Sequence, residues 1–298
     1  MRKFRKVSKA VLSIFLIFLC TSCVHEAEQY QEESRSGLQM SSVGREPLFD
    51  APSYSSNILM EIEPQKVNVE KVVSGYRYVE INGQKGYLPP EGVNYNESAD
   101  AQIIDIPVTG QFPEYKNGCE ALAIKMMMEP FGIYKSKDEI AAEIPKDRED
   151  AEFDEDGNIM IWGDPDKGFV GSIEGKEKIG FSIYPTAVVE YLKKYFEKPV
   201  NLTGASPEVL ERYIRAGHPV VIWATVDFQD AEEGVTWLTD EGREITGTFS
   251  VHAMTLVGFD SENYYLNDPF TETKDYQVAK DVFCDIWTQI GNMAVSVD

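Results

Sequence analysis

The run VHAMTLVGFD at residues 251–260 limits the fold more tightly than any other stretch of this chain. Only His252 and Thr255 interrupt its apolar residues before the terminal Asp260, so it keeps no polar face to turn toward water. A strand of that kind is central in its sheet. PVVIWATV (219–226) before it and NYYLNDP (263–269) after it read as further strands. Helical spacing appears in CEALAIKMMM (119–128), closed by Pro130 and Gly132, and in TAVVEYLKKYF (186–196). SPEVLERYIRAG (206–217) is a third helix, with Ser206 as N-cap ahead of Pro207 and Gly217 past its end. DVFCDIWTQI (281–290) is an amphipathic helix. Helices that precede strands, rather than alternate with them, predict an α+β domain over residues 101–298 and not a doubly wound sheet. IIDIPVTGQFP (103–113) is extended, and residues 146–180 are acidic, glycine-rich and irregular.

A different composition precedes this domain. ILMEIE, VNVEKVV and YRYVEI are short β-forming runs separated by turn signals. Asn82-Gly83 lies between YRYVEI and QKGYLP, as expected of a tight hairpin whose two central residues need positive φ. Residues 45–96 are therefore expected to be all-β. Residues 23–44 are polar with neither period and read as a flexible tether. Residues 1–22 combine the basic MRKFRKVSK with the apolar AVLSIFLIFL, a signal peptide too short to span a bilayer. Cys20-Thr21-Ser22-Cys23 follows and resembles a bacterial lipoprotein signal, with Cys23 as the lipidated residue. Export with a lipid anchor on the extracytoplasmic face is the expectation, and simple secretion is the alternative.

The chain of 298 residues carries a formal charge of −22. All five basic residues before Glu26 lie in the signal, so its removal leaves 23 basic against 50 acidic residues. A body this acidic repels phosphate backbones, which excludes nucleic acid as a partner. The acidic stretch at 147–158 lacks the full calcium-loop pattern and reads as a solvated loop. Neither zinc-ligand spacing nor a glycine-rich phosphate loop occurs, so no metal or cofactor is expected.

Few residues remain for chemistry. Of three histidines, His25 lies in the tether and His218 in a turn between helix and strand. His252 opens the central strand among small and apolar neighbours, where both ring nitrogens need partners. Two cysteines remain in the mature chain, Cys119 and Cys284, as one disulfide or as one reactive and one buried thiol; Cys284 reads as the buried one. Cys119 starts a helix after Asn117-Gly118, where the helix N-terminus should favour thiolate and the glycine leave the sulfur uncrowded. Asp268 ends the strand after that of His252, and antiparallel pairing would let it accept the Nδ1–H of His252, with Asn267 competing. Gln111, in the loop before Cys119, has an amide able to donate to an oxyanion beside the Cys119 N–H. Trp162, Phe169, Trp223 and Trp237 are candidates for a groove, with core packing the default for Trp223.

QFPEYKNGCEALAIKMMM, DPDKGFVGS, GHPVVIWAT and VHAMTLVGFD with YYLNDPF together resemble the bacterial C39-like peptidases, a papain-like cysteine peptidase fold related to the leader peptidases of bacteriocin exporters. The resemblance covers about residues 103–298. It implies Cys119 as nucleophile, His252 as base, Asp268 as its orienting acid and Gln111 in the oxyanion hole, acting on a peptide or amide without a metal. PLFDAPSYSSNILMEI and NGQKGYLPPEGV resemble a bacterial SH3-like barrel, which implies either a targeting role toward a cell-wall or peptide ligand or a small barrel with no ligand of its own. A catalytically silent binding module on the same fold, or acyl transfer of the transglutaminase type, are the alternatives to hydrolysis.

Overall fold

A computed structural model describes residues 39–43, 45–90 and 100–298. Residues 1–22, read from sequence as a signal peptide, and Cys23 and His25 after them lie outside the described residues. Helices and strands are mixed as the α+β reading expects. The first six strands are β1 (Gln39–Val43), β2 (Glu46–Phe49), β3 (Ile58–Ile62), β4 (Gln65–Val73), β5 (Tyr76–Ile81) and β6 (Gln84–Leu88). They form one antiparallel sheet in the order β1-β4-β5-β6-β2-β3. Leu48, Ile62, Val67, Val79, Ile81 and Leu88 make its core. The β5–β6 turn is Asn82-Gly83, and both residues have positive φ, 54° and 79°. β1 corrects the reading of residues 23–44 as tether throughout. Its backbone pairs Gln39–Val43 with Val69–Gln65 of β4, and backbone pairing of that kind needs no apolar alternation, which is why no pattern announced it.

The remaining elements, in chain order, are β7 (Gln102–Ile103), α1 (Cys119–Met128), α2 (Lys137–Glu143), β8 (Glu152–Phe153), β9 (Ile159–Ile161), α3 (Pro185–Leu192), β10 (Pro199–Asn201), α4 (Pro207–Arg215), β11 (Val220–Thr225), β12 (Val235–Leu238), β13 (Glu244–Gly247), β14 (Val251–Phe259), β15 (Asn263–Asp268), β16 (Thr273–Ala279), α5 (Lys280–Gln289) and β17 (Ala294–Val297). A seven-stranded sheet runs β10-β17-β11-β14-β15-β16, with β7 pairing β14. The run at 251–260 is β14, and it is interior. Alternate residues of the sheet feed two different cores. Val221, Trp223, Ala253 and Val295 pack under α1, α2 and α3, while Val220, Ile222, Ala224, Met254 and Leu256 pack under α4 and α5. Two covered faces explain the near-absence of polar residues in β11 and β14.

The acidic segment 146–180 is more ordered than its composition suggests. It supplies β8 and β9 to a four-stranded sheet, β13-β12-β9-β8, over a core of Ile159, Trp162, Val170, Phe181, Trp237 and Ile245. Trp162, Phe169, Trp223 and Trp237 are all fully buried, so none of the four lines a groove. α2 also escaped the sequence reading, although Ser136 and Glu139 form a reciprocal capping box at its start.

The first sheet docks against β10 and the segment that follows it. The Tyr76 hydroxyl donates to the Asn201 carbonyl at 3.2 Å, and a Cβ at Gly75 or Gly204 would collide with Val200 or Ser55. Tyr54 joins the core beneath α4 and α5 while stacking edge-on with Phe49 and Tyr76.

Trp223 fills the space between β11 and α3 and donates its Nε1–H to the Ile183 carbonyl at 3.1 Å. Trp223→Ala should lower unfolding free energy by about 3–5 kcal/mol, read from denaturant titration followed by circular dichroism.

Candidate active site

α1 is almost wholly buried: nine of its ten residues, all but Lys125, lie inside. Its seat is β14. The Thr255 hydroxyl donates to the Ala123 carbonyl at 2.9 Å, and the Ala253 N–H bonds to the Cys119 sulfur. The β14–β15 ladder begins only at Thr255–Asn267, beyond these residues of β14. Cys119 thus lies against the backbone of the residue next to His252.

Antiparallel pairing of β14 with β15 returns the chain so that Asp268 meets His252, as the sequence predicts. The ring atom is different. His252 Nε2 lies 2.7 Å from Asp268 Oδ1, not Nδ1. The orientation of the ring turns Nε2 to the carboxylate and leaves Nδ1 outside that contact. Asp268 also accepts from the Phe270 N–H at 2.8 Å and from the Thr271 hydroxyl at 2.6 Å, so it caps its own turn as well. Burial works to raise the Asp268 pKa, but His252, Thr271 and the Phe270 N–H together hold it below the usual carboxylate value. An ionised, acceptor-only Asp268 requires Nε2 to carry the hydrogen. Asn267 does not compete: its amide N–H donates to the Ile106 carbonyl and its oxygen accepts from the Asp275 N–H.

Gln111 is tied to the same turn, since its backbone N–H donates to the Pro269 carbonyl at 2.8 Å. Its side-chain amide donates to the Lys116 carbonyl at 2.7 Å, and its Oε1 is buried without a partner among the described residues. Asn117 holds the Cys119 loop to the facing segment through a 2.7 Å bond to the Ser172 carbonyl. Gly118 is needed for a different reason than access to the sulfur, because a Cβ there would stand 2.6 Å from that of Tyr115.

The thiol itself departs from expectation. Burial pushes the Cys119 pKa well up, and the neighbouring Glu120 pushes it further; the Ala253 and Glu120 N–H groups oppose this only in part. A helix N-terminus favours the thiolate, but here the cost of desolvation exceeds that gain. Cys119 keeps 8 % exposure and His252 only 2 %. Cys119 and Cys284 are both free thiols, and Cys284 is half-buried rather than buried.

Three residues at this site were missed from sequence. Glu120 is buried beside Cys119, with its Oε2 3.2 Å from the sulfur. Ser182 donates to its other oxygen. Phe270 sets its ring edge-on to His252, centroids 5.8 Å apart, and packs in turn against the half-exposed Phe112. A lone acid in the first turn of an otherwise apolar helix was the available signal for Glu120. A cleft of about 360 Å³ lined by Ser53, Ser74, Tyr184, Thr186, Asn201 and Thr203 lies where the first sheet meets the larger body, and none of Cys119, His252, Asp268 and Gln111 lines it.

Cys119 thus opens a buried helix seated on the strand that carries His252, and Asp268 reaches that imidazole from the next strand, β15. Residues 103–295 match the Peptidase_C39 like family, and the chain belongs to that family. It is similar to a crystal structure described as a C39-like peptidase from Bacillus anthracis, at 34 % identity and a TM-score of 0.59, covering 67 % of this chain and 98 % of the other. It also resembles the uncharacterized protein YvpB of Bacillus subtilis (strain 168), 28 % identical over 200 residues, or 66 % of this chain and 76 % of YvpB.

A lowered Asp268 pKa adds stability above the unfolded carboxylate value and loses it as pH falls through the folded one. Asp268→Asn should cost roughly 1–2 kcal/mol at neutral pH. Its deficit against wild type should shrink below about pH 4, as measured by denaturant unfolding across that range.

Proposed function

We propose that this chain is a thiol hydrolase of peptide or amide bonds. The observation that carries the reading is the 2.7 Å contact of His252 Nε2 with Asp268, beside a backbone N–H of the next residue, Ala253, that meets the Cys119 sulfur. His252 Nδ1 takes the thiol proton as the sulfur adds to a carbonyl carbon. The C–N bond then breaks, and the same nitrogen returns the proton to the leaving amine. Water, deprotonated by His252, attacks the thioester, releases the acid and restores the thiol. Asp268 fixes the ring by accepting the Nε2–H and stabilises the imidazolium. The Cys119 N–H and the second amide N–H of Gln111 serve the oxyanion, a role supported by the attachment of Gln111 to Pro269. No metal enters this scheme.

Cys119→Ala and His252→Ala should each reduce cleavage of a quenched-fluorescent peptide library by roughly a thousandfold or more. His252→Ala should also slow alkylation of Cys119 by iodoacetamide. Cleavage by Cys119→Ala at the wild-type rate would refute the scheme, and cross-linked product with an added amine would mark acyl transfer instead.

The location belongs to the same proposal. Among the described residues no helix is long and apolar enough to cross a membrane. The reading from sequence is export, with Cys23 lipidated and residues 45–96 acting as an SH3-like module that holds the enzyme near cell-wall or peptide substrates. Metabolic labelling with a fatty-acid analogue should mark the wild-type protein and fail with Cys23→Ala.

A further inference from the structure

Glu120 has a position that the hydrolytic scheme leaves unused. It is the second residue of α1 and only 1 % exposed. Its Oε1 accepts from the Ser182 hydroxyl, itself fully buried, and its Oε2 stands 3.2 Å from Cys119 Sγ. Among the described residues no lysine or arginine contacts this carboxyl. The titratable groups that face it are Cys119 on its own helix, His252 on β14 and Tyr184 at the start of α3.

Two anions cannot share so small an apolar space. If Glu120 were ionised when Cys119 became a thiolate, unscreened negative charges would touch with one imidazolium to balance both. An ionised Glu120 would instead accept the S–H and keep the proton on sulfur, the resting state least able to attack. A neutral Glu120 is the other solution. With Oε1 occupied as the acceptor of the Ser182 hydroxyl, the hydrogen of a neutral carboxyl falls on Oε2, the oxygen 3.2 Å from the sulfur.

We propose that Glu120 is a neutral acid that donates its Oε2–H to the Cys119 thiolate, so that the site is reactive only while Glu120 keeps its proton. The balance is simple: the thiol proton passes to His252 Nδ1, and Glu120 retains its own throughout. Burial, the largest influence on this carboxyl, favours the neutral form, and the hydrogen bond from Ser182 only partly opposes it. The inference rests on Cys119 being the reacting group but requires no particular substrate. It makes Glu120 a restraint as well as a support, because raising the pH until Glu120 ionises returns the hydrogen bond to the S–H and quiets the thiol.

The test uses the full chain and iodoacetamide as the probe at pH 6, with thermal melting to check folding. Glu120→Ala should slow alkylation of Cys119 by about tenfold or more. Glu120→Gln, whose amide keeps both a donor for sulfur and an acceptor for Ser182, should recover most of that loss. Infrared spectra at neutral pH should show a protonated-carboxyl band that Glu120→Gln removes and that shifts when Cys119 is alkylated. This readout needs only the isosteric variant to fold. Faster alkylation in both variants than in wild type, or no such band, would overturn the proposal and make Glu120 a repelling anion. A protein with these thiol responses that cleaves nothing would refute the hydrolase alone. Peptide cleavage combined with wild-type alkylation of Glu120→Ala would refute only the role given to Glu120.

Discussion

The seating of α1 on β14 is the constraint from which the rest of the site follows. Two contacts fix it, the Thr255 hydroxyl on the Ala123 carbonyl and the Ala253 N–H on the Cys119 sulfur. Both come from the strand that also carries His252. A shift of the helix by one turn would move the sulfur about 5 Å along the strand and separate thiol from ring. The close packing of nine buried helix residues opposes that shift. Precision at the sulfur is therefore a property of the core, not of the loops around it.

Within that seat two carboxyl groups meet different fates for physical reasons. Asp268 gathers the imidazole N–H, a hydroxyl and a backbone N–H, so its charge survives burial. Glu120 has one hydroxyl donor and a thiol, and burial raises its pKa. Environments that push two acids apart are how one site holds both an anion and a proton donor at the same pH.

Much of this was legible in the sequence where periodicity carried it. The apolar run at 251–260 announced β14, and Asn82-Gly83 announced its hairpin. The order of Cys119, His252 and Asp268 suggested a cluster because antiparallel neighbours return a strand end to a strand start. What escaped depended on quantities that no single stretch contains. β1 pairs through backbone, so its sequence gave no sign. Which nitrogen of His252 meets Asp268 is decided by the side-chain rotamer that packing imposes. Whether the helix N-terminus or desolvation prevails at Cys119 is decided by burial, which only the packed structure reveals. The place of Glu120 in the site depends on Ser182, a partner 62 residues away that no local pattern ties to it.

The docking of the first sheet on β10 also defines a mechanical load path. Tension applied at the N-terminal end of β1 would pass through the β1–β4 and β4–β5 ladders to Tyr76 and the Asn201 carbonyl, and so enter the large sheet at its β10 edge. Between that edge and β14 stand β17 and β11, each held by antiparallel ladders. A pull on the chain would load shear between those strands before it strained the one beneath the sulfur, leaving the geometry at Cys119 insulated from force on the first sheet.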